Sequence, residues 1–214
     1  MTEAYAIFAS GSGSNAMSLV EMGKKLGKQP SFLFVNKNNA AVIKKAKDAG
    51  AQVIVIETDH PRVDSDFEVK LVELCRKHNV KWIFLAGFMK ILGRTFLDEF
   101  KSDGFYRVIN IHPSLLPKYK GLNAYEKAFA ANDKEYGFSI HLVDEKIDHG
   151  EILYQRTIVR NELDSLEDFK KRGLEFENKD YPLILENVLR DKDSYIKKCL
   201  KKNFMNTQDI NYDK

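Results

Sequence analysis

The chain has 214 residues, of which 43% are hydrophobic and 30% charged, a composition typical of a soluble globular protein with one domain. Its net charge of +3 is too small to indicate nucleic-acid binding, and no apolar run approaches the roughly 20 residues of a membrane-spanning helix. Cys75 and Cys199 lack the spacing of a disulfide framework or metal site, and the N-terminus lacks the pattern of a signal peptide, so a reducing cytoplasm is expected.

Short apolar segments alternate with amphipathic segments along the first half of the chain. Continuous apolar strands that alternate with helices are typical of a parallel sheet covered on both faces, so the sequence predicts an α/β fold. The pattern predicts strands at residues 5–10, 31–36, 52–57, 80–89 and 106–112, and helices at residues 15–27, 39–51 and 64–79.

The second half of the chain has a different pattern. Residues 137–145 and 150–160 alternate more strongly, which predicts antiparallel strands added at one edge of the sheet. A long amphipathic helix follows, with Ser165 and Asp168 at the spacing of a capping box and with Pro182 expected to bend it. Residues 191–214 are rich in Lys, Asn and Asp and are expected to form a polar C-terminal tail that is partly helical.

The segment SGSGSN, residues 10–15, joins the first predicted strand to the first predicted helix. Its glycines let the backbone approach a ligand, and the free amides at the start of a helix favour an anion such as phosphate. Ser14 and Asn15 add side-chain donors. The segment also suits a plain strand-to-helix turn with a helix cap, and it matches neither a Walker A motif nor a complete G-x-G-x-x-G motif.

The segment INIHPSLLP, residues 109–117, closes a later strand. Asn110 and His112 are two residues apart, so they point to the same side of an extended chain, and Pro113 and Pro117 restrict the backbone that follows. An imidazole can act as an acid, a base or an electrostatic stabiliser, and an amide can donate to an oxyanion. This arrangement favours a functional role over a histidine that only caps the loop.

Two further segments have a functional and a purely structural interpretation. The acidic loop at residues 143–152 offers Asp144, Glu145 and Asp148, any of which could orient His112, although most loop carboxylates are simply solvated. The segment LAGFMKIL, residues 85–92, could line a flat aromatic ligand or be ordinary core.

Together these segments resemble the folate-dependent formyltransferases. The matching pieces are SGSGSN, LAGFMKIL, NIHPSLLPKYKG, DEKIDHG and FENKDYPLI, in that order, across about residues 5–190. The resemblance implies a Rossmann-like, mostly parallel twisted sheet with helices on both faces and antiparallel additions toward the C-terminal part. It also implies a single formyltransferase domain at residues 1–190, followed by the tail at residues 191–214.

The resemblance assigns roles to individual residues. The catalytic group that it implies is Asn110, His112 and Asp148. The residues implied for the ribonucleotide are Gly13, Ser14 and Asn15 at the phosphate and Glu177 near the amine. The residues implied for the folate are Met89, Lys90, Ile91, Leu92 and Asn110.

The implied reaction transfers a formyl group from the co-substrate 10-formyltetrahydrofolate to the amine of N1-(5-phospho-D-ribosyl)glycinamide, in de novo purine biosynthesis. Protonated His112 and Asn110 would stabilise the oxyanion, and Asp148 would keep His112 protonated and relay protons through water. No metal, nucleic acid or membrane is implied, and the expected assembly is a monomer or a homodimer that binds small molecules.

Three alternatives stay open. A formyltetrahydrofolate hydrolase usually has an additional N-terminal domain, for which there is no room before Tyr5, and a sugar or tRNA formyltransferase usually has a C-terminal domain, for which the segment after Arg190 is too short. A non-catalytic nucleotide- or folate-binding module would not need His112 and Asp148 together.

The sequence departs from the family pattern in the segment expected to hold the folate tail. Asp64 stands where an Arg is common, with Arg62 close by, and Lys90 also replaces a common Arg. Because Asp64 would repel a carboxylate, we expect a weaker hold on the glutamate tail of the folate, to which Arg62 could contribute.

Overall fold

The computed structural model describes residues 3–58, 60 and 63–209, with side chains described as far as residue 202. Strands and helices alternate as the sequence predicts. The strands are β1 (Ala4–Ala9), β2 (Phe32–Val35), β3 (Val53–Val55), β4 (Val80–Leu85), β5 (Lys101–Ser102), β6 (Phe105–Tyr106), β7 (Val108–His112), β8 (Glu135–Leu142) and β9 (Ile152–Val159). The helices are α1 (Ser14–Lys25), α2 (Val42–Asp48), α3 (Ser65–Lys77), α4 (Arg94–Glu99), α5 (Ala124–Ala130), α6 (Leu166–Asp191) and α7 (Asp193–Asp209).

One seven-stranded sheet organises the fold, with the strand order β3-β2-β1-β4-β7-β8-β9. The first five strands in this order are parallel to one another, whereas β8 pairs antiparallel with β7 and β9 pairs antiparallel with β8 at one edge. This arrangement confirms the predicted α/β, Rossmann-like fold and its antiparallel strands toward the C-terminal part. The short strands β5 and β6 form a separate hairpin.

The central strands are buried on both faces, which explains their continuous apolar sequences. In β1, Ile7 faces the core formed with α1, α2 and α6, while Phe8 faces the core formed with α3 and α4. Because successive strand side chains point to opposite faces, both faces of such a strand must be apolar.

The strand order reverses between β1 and β4, so the chain leaves the carboxyl ends of these two strands in opposite directions. Parallel α/β sheets bind ligands in the crevice formed at such a reversal. The loop after β1, the segment after β4 and the end of β7 all lie at this edge, because Phe8 pairs with Leu85 and Leu85 pairs with Asn110.

The C-terminal part of the described chain forms helices α6 and α7. Helix α6 begins with the expected capping box of Ser165 and Asp168 and continues through Pro182; the bend expected there stays a prediction. Helix α7 follows, and its Ile196 is fully buried in the core. Its Asp193 pairs with Arg107 at 2.6 Å, which fixes this helix against the sheet.

Helices α4 and α5 and the β5–β6 hairpin, which lie in the middle of the chain, were not predicted from the sequence.

Candidate active site

Strand β7 ends by presenting Asn110 and His112 on the same side of the sheet edge. Both residues line one cavity, and the amide of Ser114 donates to the His112 carbonyl at 2.8 Å, which turns the chain immediately after Pro113. The two polar residues of this strand therefore face the cavity together, as their spacing predicts.

Asp148 reaches these two side chains from the loop between β8 and β9. Its backbone has a φ of 47°, a left-handed conformation that Asp tolerates better than most residues. One carboxylate oxygen, Oδ2, lies 3.2 Å from His112 Nδ1 and accepts a hydrogen bond from the Gly121 amide at 2.8 Å. The other, Oδ1, accepts from Asn110 Nδ2 at 3.5 Å. The structure thus brings Asn110, His112 and Asp148 into direct contact.

The two ring nitrogens of His112 both face acceptors, since Nε2 lies 2.9 Å from the Tyr119 carbonyl and Nδ1 faces Asp148. Burial nevertheless lowers the pKa of His112 below its usual value of 6.5, and this effect outweighs the attraction of Asp148 and the hydrogen bond to Tyr119. Asp148 therefore favours the imidazolium without fully offsetting burial in the free protein, because His112 is only 5% exposed and desolvation disfavours its cation. That Asp148 keeps the ring protonated during the reaction stays a prediction.

Asp148 itself stays ionised at neutral pH. Burial by itself would raise its pKa, but the contact with His141, the Gly121 amide and the charge of His112 together hold the pKa of Asp148 below its usual value of 3.8. A negative charge is therefore fixed beside both Asn110 and His112.

His141 is a member of the site to which sequence reasoning gave no role. It lies on β8 directly opposite Asn110, and its Nε2 is 3.2 Å from Asn110 Nδ2. Its Nδ1 lies 2.7 Å from the Leu142 carbonyl, which only an N–H can satisfy. Nε2 also lies 3.6 Å from Asp148 Oδ1, so the ring contacts both Asn110 and Asp148 and helps to position them.

A cavity of about 380 Å³ opens beside this group. All of the residues predicted for the folate line it, namely Met89, Lys90, Ile91, Leu92 and Asn110. The rim carries the exposed apolar side chains of Met89, Leu122 and Ile147. A mostly apolar wall that ends in a few convergent polar groups is typical of a small-molecule site.

The glycine-rich loop after β1 is shaped by close packing. Gly13 caps α1 with a φ of 79°, and a side chain there would lie 2.2 Å from Val42 Cγ2. In the part of the chain that the structure describes, no side chain caps the start of α1, which leaves its first backbone amides for another acceptor. Ser14 Oγ donates to Asn178 Oδ1 at 3.0 Å, and Asn15 Nδ2 donates to Glu177 Oε2 at 2.6 Å.

Glu177 completes the group of residues predicted for the ribonucleotide. It is 4% exposed, and burial raises its pKa above the usual 4.5, although hydrogen bonds from Tyr125 and Asn15 act in the opposite direction. The structure brings Asn15, which follows Gly13 and Ser14 at the start of α1, into contact with Glu177, and none of these four residues lines the described cavity.

Ser10 connects the loop after β1 to the cavity wall. Its hydroxyl accepts from the Met89 amide at 2.8 Å and donates to Asn36 Oδ1 at 2.5 Å. The glycine-rich loop and the Met89–Leu92 segment are therefore neighbours along one edge of the sheet.

Comparison with known proteins assigns this arrangement to a family. A sequence model described as "Formyl transferase" matches residues 4–185. The chain belongs to the formyl transferase family.

Two curated relatives extend the comparison. The phosphoribosylglycinamide formyltransferase of Bacillus subtilis is 36% identical over 86% of this chain and 94% of its own length. The trifunctional purine biosynthetic protein adenosine-3 of Chironomus tentans is 36% identical over 85% of this chain, which spans only 13% of that larger protein. This formyl transferase thus matches one relative over almost its full length and the other over a small part.

Among solved structures, the phosphoribosylglycinamide formyltransferase from Bacillus halodurans superimposes with a TM-score of 0.80 and 33% identity, over 88% of this chain and 96% of that one. The fold and the sequence therefore lead to the same family. Helix α7 lies beyond the residues matched by the family model.

The segment expected to meet the folate tail has a structural role in this formyl transferase. Asp64 caps α3, and its Oδ1 accepts from the Phe67 amide at 2.8 Å. It does not line the described cavity, whereas Lys90 does. Arg62 lies outside the described residues, so its contribution to tail binding stays a prediction.

Within the described ranges, no helix is both long and apolar enough to pass through a membrane. The same residues contain no cluster of three His, Cys, Asp or Glu side chains arranged to hold a metal ion.

Proposed function

We propose that this formyl transferase moves the formyl group of 10-formyltetrahydrofolate to the primary amine of N1-(5-phospho-D-ribosyl)glycinamide, in purine biosynthesis. The observation that carries the proposal is the contact of Asn110, His112 and Asp148 at the wall of one cavity. The Bacillus subtilis and Bacillus halodurans relatives are named for this activity, and both match almost their full length.

The cavity suits the folate co-substrate, which supplies the formyl carbon. Ile91 and Leu92 offer an apolar wall to a flat ring system, while Asn110 and Asp148 supply polar groups at the end where the chemistry occurs. The volume of about 380 Å³ is within the range typical of small-molecule sites.

The reaction needs stabilisation of negative charge on the formyl oxygen. The neutral amine attacks the formyl carbon, and the C=O electron pair moves to oxygen to give a tetrahedral intermediate. Asn110 Nδ2 and His112 Nε2 are the donors that we assign to this oxygen. In the structure the Tyr119 carbonyl is the acceptor at His112 Nε2, so we propose that the formyl oxygen takes its place. One such donor typically lowers the barrier by about 3 kcal/mol.

His112 acts as the cation along this path, with its second proton taken from solvent before the attack and kept on the ring. Burial lowers the pKa of His112 in the free protein, but a developing oxyanion beside the ring favours the cation, as the fixed charge of Asp148 does. The proton lost by the attacking nitrogen passes through water held at Asp148 to the leaving nitrogen. The C–N bond to the folate then breaks, and the products carry the same total charge as the substrates.

The glycine-rich loop and Glu177 serve the ribonucleotide in this proposal. Open amides at the start of α1 suit the phosphate, with Gly13 allowing its close approach and Ser14 and Asn15 adding donors. Glu177 lies one helical turn before Tyr181, whose hydroxyl donates to the carbonyls of Leu85 and Ile109 at 3.0 Å each. Helix α6 therefore holds Glu177 close to the strand ends that carry Asn110.

A direct assay separates this function from its alternatives. The protein is incubated with 10-formyltetrahydrofolate and either glycinamide ribonucleotide, an amino-sugar nucleotide or no acceptor, and the products are identified by mass spectrometry. We expect formylation of the ribonucleotide alone. Formate release without an acceptor would indicate a hydrolase, formylation of the sugar would indicate a sugar formyltransferase, and binding without turnover would indicate a binding module.

Compartment and assembly complete the proposal. We expect a cytoplasmic enzyme that acts on small molecules, not on nucleic acid, and that is a monomer or homodimer. The free thiols of Cys75 and Cys199 suit a reducing compartment.

A further inference from the structure

Glu177 needs hydrogen-bond donors because its carboxylate is buried. Two side chains supply them: Asn15 Nδ2 donates to Oε2 at 2.6 Å, and the Tyr125 hydroxyl donates to Oε1 at 2.5 Å. The three residues come from α1, α5 and α6, so a chain of polar contacts crosses three helices. Tyr125 was not singled out by the sequence, and none of the roles assigned above uses it.

Helix α6 leaves space for the Tyr125 hydroxyl at a glycine. Gly173 lies one turn before Glu177 on α6, and a Cβ atom at this position would lie 2.4 Å from Tyr125 Oη and 2.5 Å from Cζ. Glycine inside a helix is less favourable than alanine, so the glycine at position 173 indicates that the space is needed. The ring and the hydroxyl are therefore held in one position against this helix.

Packing accounts for the ring of Tyr125 but not for its hydroxyl. The ring makes edge-to-face contacts with Tyr136 and Phe169 at centroid distances of 5.9 and 6.1 Å. A phenylalanine would keep these contacts. Among the described residues, the hydrogen bond to Glu177 is the one contact that the hydroxyl adds, so its function is to be sought at that carboxylate.

We propose that Tyr125 is a positioning residue for the ribonucleotide, whose hydroxyl fixes the carboxylate of Glu177 and, through it, the side chain of Asn15. This inference rests on the proposed function. Asn15 Oδ1 is buried and has no hydrogen-bond partner among the described residues, so the orientation of this amide rests on the hydrogen bond from Nδ2 to Glu177. Loss of the hydroxyl would let the carboxylate rotate and would disturb both residues.

The direction of the hydrogen bond is fixed by charge. Burial raises the pKa of Tyr125 well above its usual value, and the neighbouring Glu177 raises it further, so the hydroxyl stays protonated and can only donate to this carboxylate. The same bond favours the ionised form of Glu177, against the effect of burial.

The test compares Tyr125→Phe with Tyr136→Phe in steady-state kinetics with both substrates. Tyr136 is a matched control because it lies in the same aromatic cluster and its buried hydroxyl donates to the Phe169 carbonyl at 3.1 Å. We expect Tyr125→Phe to raise the KM for the ribonucleotide about tenfold, the factor that about 1.4 kcal/mol represents. We expect kcat and the KM for the folate to stay within about threefold in both variants, a change of less than 1 kcal/mol.

Two further variants distinguish positioning from a purely structural effect. In a Glu177→Ala background, Tyr125→Phe should cause no additional rise in the ribonucleotide KM, because the hydroxyl acts through Glu177. Gly173→Ala, which puts a methyl group into the space of the hydroxyl, should raise the same KM in the otherwise unchanged protein.

The outcomes separate this inference from the proposed function. Turnover by the unchanged protein with an unaltered ribonucleotide KM in Tyr125→Phe would overturn the inference alone, as would equal effects of Tyr125→Phe and Tyr136→Phe. An undiminished effect of Tyr125→Phe in the Glu177→Ala background would show that Tyr125 acts on the substrate directly. Absence of turnover in the unchanged protein would overturn both proposals.

Discussion

Replacing Asp148 with Asn removes one negative charge from the centre of the site while keeping nearly the same shape. Asn tolerates the left-handed backbone at this position, where φ is 47°, about as well as Asp does. The amide oxygen can still accept from Gly121, so we expect the loop to keep its conformation. The variant therefore tests charge rather than packing.

The expected magnitude follows from the distance between the charges. Asp148 Oδ2 lies 3.2 Å from His112 Nδ1. At an effective dielectric constant of about 20, a cation and an anion so placed attract each other by about 5 kcal/mol. If about 3 kcal/mol of this stabilises the transition state, kcat falls by about 100-fold or more. Asp148 also raises the pKa of His112 against the effect of burial, so its loss would lower this pKa further and the ring would be protonated less readily.

The assay measures kcat for ribonucleotide formylation together with the melting temperature. Asp103→Asn is the matched control, because Asp103 also has a positive φ of 42° and pairs with a cation, Lys197, but on the β5–β6 hairpin. We expect this control to keep full activity, since exposed ion pairs contribute about 1 kcal/mol or less to stability. A folded Asp148→Asn protein with kcat within about threefold of the unchanged protein, a difference below 1 kcal/mol, would refute the assigned role.

Two further predictions concern the ribonucleotide residues. Gly13→Ala should lower the free energy of unfolding by at least about 2 kcal/mol, because its φ is 79° and its Cβ would meet Val42. Calorimetry should then record a melting temperature at least about 5 °C lower, and an unchanged value would contradict this packing. Glu177→Gln should raise the ribonucleotide KM. The free energy of unfolding of this variant, relative to that of the unchanged protein, should be greater at pH 7.5 than at pH 4. Burial raises the pKa of Glu177 above 4.5, so the folded protein holds a proton on this carboxyl at a pH where the unfolded chain has lost it. The unchanged protein therefore loses stability as pH rises from 4.5 through the pKa of the folded state, whereas glutamine carries no such proton. A stability difference between variant and unchanged protein that does not vary with pH would contradict the assignment.

The end of β7 shows which features of the site the local sequence can predict. Asn110 and His112 are two residues apart on a strand closed by Pro113, so their shared orientation follows from the period of the strand, and the structure has both in the cavity wall. The parallel sheet could also be predicted from the sequence, because strands buried on both faces must be apolar throughout.

The partners of these residues depend on tertiary structure. The residues alone left Asp144, Glu145 and Asp148 as candidates, and the choice depends on a loop that the Gly121 amide holds in place from a distant segment. His141 meets Asn110 only through the antiparallel register of β7 and β8, which no local pattern specifies. The effect of burial on the pKa of His112 likewise depends on the packing of several segments around the ring, which no local pattern specifies.

The central claim is that this site transfers a formyl group to an amine. The most direct test is a single turnover with 10-formyltetrahydrofolate labelled with ¹³C at the formyl carbon, with the ribonucleotide in excess and the label followed by NMR spectroscopy. We predict that all of the label passes to the ribonucleotide amide in the unchanged protein, and that a folded His112→Ala variant leaves it on the folate over the same period. Label recovered as formate, or transfer at an unchanged rate in His112→Ala, would contradict the assigned chemistry.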